Sequence, residues 1–303
     1  MNVLLAGIDG GQSSTVAVIG DQAGRILGCG TSGPADEIGA GKDSTRLRDA
    51  LHGALEDARR RAHLPEESTF AAIVAGISGY DGHVYGRPPE LPSTRATLMH
   101  DTPIAHAGAL GGRPGVVAIA GTGSVVYGRS EDGRSCTLGG WGFLFGDEGS
   151  ASRIASDALA MLMRAHDDGD ASLDAEARAA CDFFGTDSLR RLAHAYYKGE
   201  VTRDRLASFA PTALRYESLR TLADRGADRL AVLIRMAIAA GSPARVALVG
   251  GVFTDEALRN RVRAAILREI PSADIVEARY EPAYGALLLA YRELGLRVTE
   301  LQR

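Results

Sequence analysis

The sequence has few cysteines and no long apolar run, and each of these shortages excludes a class of protein. The three cysteines, Cys29, Cys136 and Cys181, form no CxxC pair, which argues against a disulfide scaffold and is typical of a reducing cytoplasm. No uncharged apolar run reaches the ~18 residues of a membrane span, and the N-terminus lacks the basic start of a signal peptide. We therefore expect a cytoplasmic protein without a membrane partner.

A strong charge of either sign is also missing. Lys and Arg number 34 against 38 Asp and Glu, which gives a net charge of -4. This balance argues against a nucleic acid or an anionic membrane as partner. The run Arg59-Arg60-Arg61 lies at the end of a predicted helix, where we expect it to be solvent-exposed and favoured by the helix dipole. With 45% apolar residues in 303, the chain is not disordered and has room for one large or two medium domains.

Several familiar catalytic and phosphate-binding motifs are absent as well. Gly41-Lys42-Asp43 lacks the Ser or Thr of a P-loop, and Asp36 stands where its upstream glycine belongs. No GxGxxG motif opens a helix after the first predicted strand, which disfavours a dinucleotide-binding fold. There is no HExxH motif, and no two histidines stand four residues apart, so we predict no zinc site.

Glycine is in excess, with 37 residues, and glycine-rich turns follow predicted strands. The run Val3–Ile8 predicts a buried strand that ends in Asp9-Gly10-Gly11-Gln12-Ser13-Ser14. The run Val116–Ala120 predicts another, which ends in Gly121-Thr122-Gly123-Ser124. In both places a second strand, a turn and a third strand follow. The repetition predicts an α/β protein with two equivalent meander sheets; two unrelated β-meanders are the alternative. Residues 148–240 are predicted to be mostly helical, with breaks at Gly169, Gly185 and Pro211 among others.

These turns have a chemistry suited to phosphate. A Gly/Ser/Thr turn can expose several backbone N–H groups to one anion, because no Cβ blocks the approach. Two such turns could hold a triphosphate from both sides, with Asp9 holding Mg²⁺ through water. A third glycine turn, Gly250-Gly251-Val252-Phe253, follows a predicted strand and could admit a base or ribose. The alternative is that each turn only reverses the chain.

A longer glycine-rich stretch, Gly139–Ser150, has the sequence GGWGFLFGDEGS. Together with the three turns and Asp101, it resembles the BadF/BadG/BcrA/BcrD-type ATPases, and among them the N-acetylglucosamine kinase-like sugar kinases. The resemblance covers nearly the whole chain. It implies a duplicated actin/hexokinase-like (ribonuclease H-like) ATPase fold, with two lobes around a nucleotide cleft. The expected lobes are residues 1–114 with 284–303, and residues 115–283.

The same resemblance implies roles for individual residues. Asp101 matches the catalytic base that accepts a sugar hydroxyl proton, and Asp9 would hold Mg²⁺ through water. The implied ATP contacts are Asp9, Gly10, Gly11, Gln12, Ser13, Thr122, Gly250 and Gly251. The implied sugar contacts are Ser124, Gly140, Trp141, Gly142 and Asp147, with Asp36 at a position where related kinases tend to have a substrate-binding Asn. A homodimer is a further expectation from the family.

Some residues depart from the family's pattern. Gln12 stands where many members have a third glycine, and Ser14 where many have Lys or Arg, so the first loop is less basic. Asp36 accepts hydrogen bonds but cannot donate one when ionised. This favours a cationic or hydroxyl-rich substrate, so glucosamine or another amino sugar joins N-acetylglucosamine as a candidate.

Structural alternatives accompany three of these residues. Asp101 precedes Thr102-Pro103, as a helix N-cap would. Trp141 could be a core residue, and Asp147 an acidic residue in the first turn of a helix.

Among functions, we expect ATP-dependent phosphorylation of an amino sugar. An activating ATPase of the 2-hydroxyacyl-CoA dehydratase or benzoyl-CoA reductase type is one alternative, with Cys136 and Cys181 as a candidate iron–sulfur pair. That type, however, has a cysteine before its second phosphate loop, where this chain reads Ala118-Ile119-Ala120. A non-catalytic sugar or nucleotide sensor is another alternative. Such regulators usually carry an added DNA-binding segment, and we expect none here.

Overall fold

The computed structural model describes residues 3–37, 39–298 and 300–302. The strands are β1 (Leu4–Gly10), β2 (Thr15–Asp21), β3 (Ile26–Ser32), β4 (Ala72–Ile77), β5 (Ala96–His100), β6 (Gly115–Ala120), β7 (Ser124–Arg129), β8 (Ser135–Gly139), β9 (Arg245–Val249) and β10 (Asp274–Val276). The helices are α1 (Arg46–Arg61), α2 (Asp101–Ala109), α3 (Ala151–Asp168), α4 (Asp174–Phe184), α5 (Leu189–Tyr197), α6 (Arg203–Ala207), α7 (Ala210–Ala213), α8 (Glu217–Ala239), α9 (Glu256–Glu269) and α10 (Pro282–Glu293). Two 3-10 turns span Ala171–Leu173 and Gly251–Thr254.

The two sheets have the same topology. The first has the order β3-β2-β1-β4-β5, and the second has the order β8-β7-β6-β9-β10 when it is read from the equivalent edge. In each sheet the central strand, β1 or β6, pairs antiparallel with the strand of its own hairpin and parallel with β4 or β9. The predicted duplicated α/β architecture with two meander sheets is therefore confirmed.

The chain separates into two compact units. One runs to Pro114 and includes the residues from Glu277 onward, and the other is Gly115–Val276. The expected boundary near Tyr284 therefore places the return of the chain to the first unit too far toward the C-terminus. The backbone amides of Arg279 and Tyr280 donate to the carbonyls of Ala109 and Gly108, at 3.0 and 3.1 Å. The chain is therefore already attached to the end of α2 before α10 begins.

In the first unit the sheet is covered on both faces. Side chains alternate along β1, so Ala6 and Ile8 pack on the face that carries α1. Leu5 packs on the opposite face with Ile104 of α2 and Leu287 of α10. Burial on both faces explains why β1 reads as a continuous apolar run rather than an alternating one.

Gly7 allows α10 to lie directly against β1. A Cβ at this position would lie 2.1 Å from the backbone nitrogen of Leu287 and 2.4 Å from the carbonyl oxygen of Ala283. Both obstacles are main-chain atoms of a helix, which cannot rotate away as a side chain can. The close approach of helix to strand therefore requires glycine.

We expect Gly7→Ala to lower the free energy of unfolding by about 3 kcal/mol or more, at the upper end of overpacking effects. Urea denaturation of the two proteins measures this difference. Gly41→Ala is the matched control, because nothing lies within 4 Å of a Cβ there; it should change stability by less than about 0.5 kcal/mol. Equal stabilities of the Gly7 variant and the wild type would contradict the close packing.

The second unit has two hydrophobic clusters. One joins the sheet to α8 and α9, and includes Val116, Val126, Leu230 and Ile266. The other is formed by helices alone around Phe209. The predicted breaks hold at Gly169 and Gly185, which end α3 and α4 with φ of 70°. Pro211, also a predicted break, instead lies in the first turn of α7, where the missing N–H leaves no bond unmade.

The arginine run at the end of α1 divides between solvent and core. Arg60 and Arg61 are exposed, as predicted, and both pair with Asp57. For Arg59 the prediction of solvent exposure is wrong, because its side chain is 4% exposed and its guanidinium lies 5.8 Å from the Phe70 ring centroid. Arg59 follows Leu55 by one helical turn, so it lies on the buried face of α1 and its aliphatic stem packs there.

Within the described residues, no helix is long and apolar enough to cross a membrane.

Candidate active site

The turn Gly10–Ser14, predicted to bind phosphate and here called the first phosphate loop, is held by neighbouring segments of the first unit. It joins β1 to β2, and Gln12, Ser13 and Ser14 at its tip are exposed. The carbonyls of Gly10 and Gly11 accept hydrogen bonds from the amides of Ser78 (2.8 Å) and Ala35 (3.0 Å). The end of β4 and the segment that leads to Asp36 therefore lie beside the loop.

Asp9 and Asp101 stand at the same edge of the first sheet. Asp9 on β1 is in register with Gly76 on β4, which is in register with Met99 on β5. These strands are parallel, so their carboxyl ends meet at one edge, and Asp101 follows directly after β5. Two strand spacings of about 4.8 Å put the two backbones roughly 10 Å apart.

The electrostatics of this edge are unfavourable for three carboxylates without a cation. Burial, and after it the negative charges of Asp101 and Glu281, raise the pKa of Asp9 from 3.8 to about 7. An acid with a pKa this far from its ordinary value marks a candidate functional site. Any cation that neutralises part of this charge would favour the ionised form of Asp9.

His100 is the neighbour of Asp101, and sequence reasoning did not give it a role. Its Nδ1 lies 2.8 Å from Asp101 Oδ1, and this hydrogen bond raises the pKa of the imidazole. The same Nδ1 accepts from the Thr102 amide at 3.3 Å and caps α2. When Nδ1 carries a proton, it donates to the Asp101 carboxylate and cannot accept from the Thr102 amide. When it carries none, it can accept from that amide and cannot donate to the carboxylate.

The structural alternative for Asp101 as helix N-cap is therefore wrong. His100 is the cap of α2, and Asp101 is its first residue, with a side chain that is 33% exposed. The Asp101 carboxylate is not occupied by a capping bond. Its one described partner is the imidazole of His100.

Asp36 is buried, at 7% exposure, in the segment that follows β3. Its backbone carbonyl accepts a hydrogen bond from Arg46 Nη1 of α1 at 3.2 Å. The next residue, Glu37, accepts from the amides of Tyr85 and Gly86, both at 3.0 Å. Hydrogen bonds from two other segments thus hold the chain around Asp36 in place.

In the second unit, the turn Gly121–Ser124, predicted to bind phosphate and here called the second phosphate loop, is joined to the start of α3. The carbonyls of Gly121 and Thr122 accept from the amides of Ala151 (2.9 Å) and Ser152 (3.3 Å). Ser124 Oγ donates to the backbone carbonyl of Glu148 at 2.8 Å. The predicted phosphate contact Thr122 and the predicted sugar contacts Ser124 and Asp147 therefore lie close together.

Two residues of α6 pair with these predicted contacts. Arg203 Nη2 donates to Asp147 Oδ2 at 2.6 Å, and Asp147 is buried with a φ of 59°. Thr122 Oγ1 donates to Asp204 Oδ1 at 3.1 Å. Sequence reasoning missed both partners, because they lie 56 and 82 residues from the groups they contact and belong to no motif.

The stretch Gly139–Ser150, here called the glycine–tryptophan loop, presents its aromatic residues to solvent. Trp141 is 75% exposed, so its interpretation as a core residue is wrong. Gly140 and Gly142 on either side have φ of 70° and 81°, a backbone region that favours glycine. Beyond them Phe145 is 84% exposed. The loop therefore exposes apolar side chains, while Asp147 in the same loop is buried.

The third glycine turn completes a cavity in the second unit. Gly250 has a φ of 112°, and a Cβ there would lie 2.3 Å from the carbonyl oxygen of Ala120 at the end of β6. The Gly250–Gly251 turn and the second phosphate loop therefore touch. A cavity of about 320 Å³ is lined by both of them, together with Asp204, Ala207, Ser208, Pro211, Val252, Asp255 and Leu258 among others.

The two cysteines considered as an iron–sulfur pair lie in different surroundings. Cys136 on β8 packs against the cluster of the sheet, and Cys181 on α4 packs against the helical cluster. Both are free thiols. Nothing in the described residues around either one favours a shared cluster.

Comparisons with known proteins agree with this architecture. A sequence profile of the BadF/BadG/BcrA/BcrD ATPase family matches residues 6–290. An N-acetylmuramic acid/N-acetylglucosamine kinase from Clostridium acetobutylicum is 29% identical over 206 residues, which are 65% of this chain and 67% of that protein.

Solved structures extend the likeness to the whole chain. A protein from Chromobacterium violaceum with the provisional name N-acetylglucosamine kinase has a TM-score of 0.78 and 26% identity, over 95% of this chain and 99% of its own. The ROK hexokinase from Thermus thermophilus has a TM-score of 0.59 and 18% identity, over 97% and 99%. The predicted actin/hexokinase-like fold is therefore confirmed.

Proposed function

This chain belongs to the BadF/BadG/BcrA/BcrD ATPase family, and from that premise we propose that it transfers a phosphoryl group from ATP to a hydroxyl group of an amino sugar of the N-acetylglucosamine or glucosamine class. The observation that carries this proposal is the cavity in the second unit. One cavity wall is the second phosphate loop and another is the Gly250–Gly251 turn, so the segments that we propose to bind phosphate and adenosine line one space.

The lining of the cavity suits a nucleotide. A Cβ at Gly251 would meet nothing within 4 Å, and one at Gly121 would have only the Gly251 amide at 4.0 Å. Side chains at these positions would therefore fill space that the backbone leaves open. Val252, Leu258 and Pro211 supply apolar surface for a base, and Thr122 supplies a hydroxyl for a phosphate oxygen. In the first unit, Asp9, Gly10, Gly11, Gln12 and Ser13 form the other proposed phosphate loop.

The residues present also fit Mg²⁺, which would accompany the nucleotide and neutralise phosphate charge. The raised pKa of Asp9, caused by burial and by Asp101 and Glu281, indicates a site with excess negative potential. No group of three or more His, Cys, Asp or Glu side chains in the described ranges is close enough to hold a metal ion by itself. Asp9 would therefore hold the ion through water, as Mg²⁺ with its retained hydration shell permits.

Asp101 is proposed as the catalytic base. Phosphoryl transfer depends mainly on positioning and charge neutralisation, with one carboxylate near the attacking hydroxyl. Asp101 is partly exposed, and its carboxylate makes no capping bond. It would orient the sugar hydroxyl and accept its proton as the oxygen attacks the γ-phosphorus, while ADP leaves.

The proposed sugar contacts differ in what they offer. In the first unit, Asp36 supplies a buried carboxylate. In the second unit, Asp147 supplies another, and Ser124 a hydroxyl that now donates to Glu148. Trp141 supplies an exposed ring that a sugar can stack on, and the glycines at 140 and 142 leave that ring accessible.

A screen for ADP release tests this function. The protein is incubated with ATP and Mg²⁺ and with glucosamine, N-acetylglucosamine, N-acetylmuramate or glucose, and the product is identified by mass spectrometry. We expect ADP release that depends on an amino sugar and yields its monophosphate. A rate of ATP hydrolysis that no sugar changes would contradict the proposal. Iron and sulfide in protein purified without oxygen would support the activating ATPase instead.

Asp36→Asn should shift the sugar preference toward N-acetylated substrates. An amide can donate to the acetamido carbonyl, whereas an ionised carboxylate leaves that carbonyl without a donor. We expect a change in relative transition-state binding of about 1–3 kcal/mol, the size of one buried hydrogen bond. Ratios of kcat/KM across the sugar panel measure it, and unchanged ratios would show that Asp36 does not contact the substrate.

We also propose a cellular location and an oligomeric state. A cytoplasmic location agrees with the three free thiols, which reducing compartments preserve. A homodimer is an expectation from related kinases, and sedimentation of the purified protein tests it.

A further inference from the structure

One arginine connects α6 to the glycine–tryptophan loop. Arg203 Nη2 donates to Asp147 Oδ2 at 2.6 Å, and the guanidinium carbon lies 5.3 Å from the centroid of the Phe143 ring. Phe143 and Asp147 belong to the same loop, so the guanidinium contacts it at two points. Arg203 is itself partly buried, with 29% of its side chain exposed.

The position of Asp147 depends on this contact. Its φ of 59° is a strained conformation for a residue with a side chain, and its carboxylate is only 4% exposed. A buried carboxylate needs a compensating cation, and Arg203 is the cation that contacts it. Arg203 donates to Oδ2, and this bond holds the carboxylate in place.

Gly123, in the second phosphate loop, lies against the pair formed by Arg203 and Asp147. A Cβ at Gly123 would lie 2.8 Å from Arg203 Nη2 and 2.9 Å from Asp147 Oδ2. Without Arg203, a buried negative charge would stand beside a loop that must accept nucleotide phosphates. The guanidinium cancels that charge. Its Nε is buried and has no hydrogen-bond partner in the described part of the chain, and the ion pair that it makes there is with Asp147.

We propose that Arg203 is a positioning residue for sugar binding: it holds the Asp147 carboxylate and, through Phe143, the glycine–tryptophan loop in the conformation that receives the substrate. This inference rests on the proposed function, because it takes Asp147 and this loop as the sugar contacts. Arg203 acts through Asp147 and touches no reacting atom. Its removal should therefore raise the dissociation constant of the sugar much more than it lowers kcat.

Calorimetric titration with glucosamine and with N-acetylglucosamine tests this, on the wild type and three variants. Arg203→Met should weaken sugar binding about 10- to 100-fold, as expected for the loss of a hydrogen bond between charged groups. Arg203→Lys keeps the charge but loses the planar guanidinium, and should recover most of the affinity. Arg205→Met is the matched control, because Arg205 lies on the same helix and also covers an aromatic ring, that of Phe183 at 4.1 Å. It should change the affinity less than about twofold.

A double-mutant cycle separates positioning from general structural damage. In an Asp147→Asn background, Arg203→Met should change the sugar dissociation constant less than about threefold, because the carboxylate that it positions is gone. The doubly substituted protein buries no unpaired charge, so it remains informative even where Arg203→Met alone fails to fold.

Several outcomes would overturn the inference. One is an unchanged sugar affinity in Arg203→Met, and another is an equal effect of Arg203→Met in both backgrounds. A wild type that binds ATP but neither sugar would contradict the proposed function, and with it this inference. A wild type that binds sugar while the cycle shows no coupling contradicts only the role of Arg203.

Discussion

Replacing Asp101 with asparagine is expected to lower kcat by about 10²- to 10⁴-fold, the usual contribution of a general base. Asparagine keeps the size of the side chain and its reach for hydrogen bonds, and it loses the capacity to take the hydroxyl proton. The effect should therefore appear in kcat, with the KM values for ATP and sugar changed little. Steady-state kinetics on the sugar found by the ADP-release screen measure both.

The structure predicts that this substitution changes catalysis without changing stability. His100 caps α2, so Asp101→Asn leaves the cap in place and should hardly change the melting temperature. The matched control is Asp49→Asn, which neutralises an exposed carboxylate in the first turn of α1. That variant should keep wild-type kinetics. Retention of more than about a tenth of wild-type kcat by Asp101→Asn would remove Asp101 from the mechanism.

Asp9→Asn should have two opposite effects: it should abolish most turnover and stabilise the fold. Turnover falls because the variant loses the charge that would hold Mg²⁺ beside the phosphates. Stability rises because burial and the charges of Asp101 and Glu281 oppose the ionised carboxylate in the folded protein. A pKa raised from 3.8 to about 7 corresponds to a penalty of up to about 4 kcal/mol once Asp9 is fully ionised.

The pH dependence of the free energy of unfolding shows that ionised Asp9 destabilises the fold. The folded state holds the Asp9 proton up to about pH 7, whereas the unfolded chain loses it near pH 3.8. Stability therefore declines between these two values, and the penalty is complete above the folded pKa. The stability gain of Asp9→Asn should be larger at pH 8 than at pH 5. Urea denaturation at both pH values measures it.

A carboxylate with the opposite shift provides the control. Hydrogen bonds from Ser130 and from Arg134 lower the pKa of Asp132, in the β7–β8 hairpin, to about 2. Asp132→Asn should therefore lose stability at neutral pH and leave turnover unchanged. An Asp9→Asn protein that is less stable than the wild type at pH 8 would contradict the electrostatic account of the sheet edge. One with normal turnover would exclude Asp9 from the active site.

The amino-acid sequence by itself determined the local features of this protein. Apolar runs that end in Gly, Ser and Thr set the strands and the turns, because apolar and β-branched residues favour strands and these small residues favour turns. The repetition of that pattern was enough to predict two equivalent sheets. The Asp101 and Asp147 hypotheses came from the family's motif order, and no spacing rule within this chain would have assigned their roles.

Only the tertiary structure decided which groups meet. Arg203 reaches Asp147 across 56 residues, and Asp204 reaches Thr122 across 82. The raised pKa of Asp9 likewise depends on burial first and then on the charges of Asp101 and Glu281. Parallel strand pairing and the return of the chain at Glu277 bring these two residues near it. Such contacts depend on how helices and sheets pack, and Coulomb interactions act through space rather than along the chain. For that reason no local pattern in the sequence predicts them.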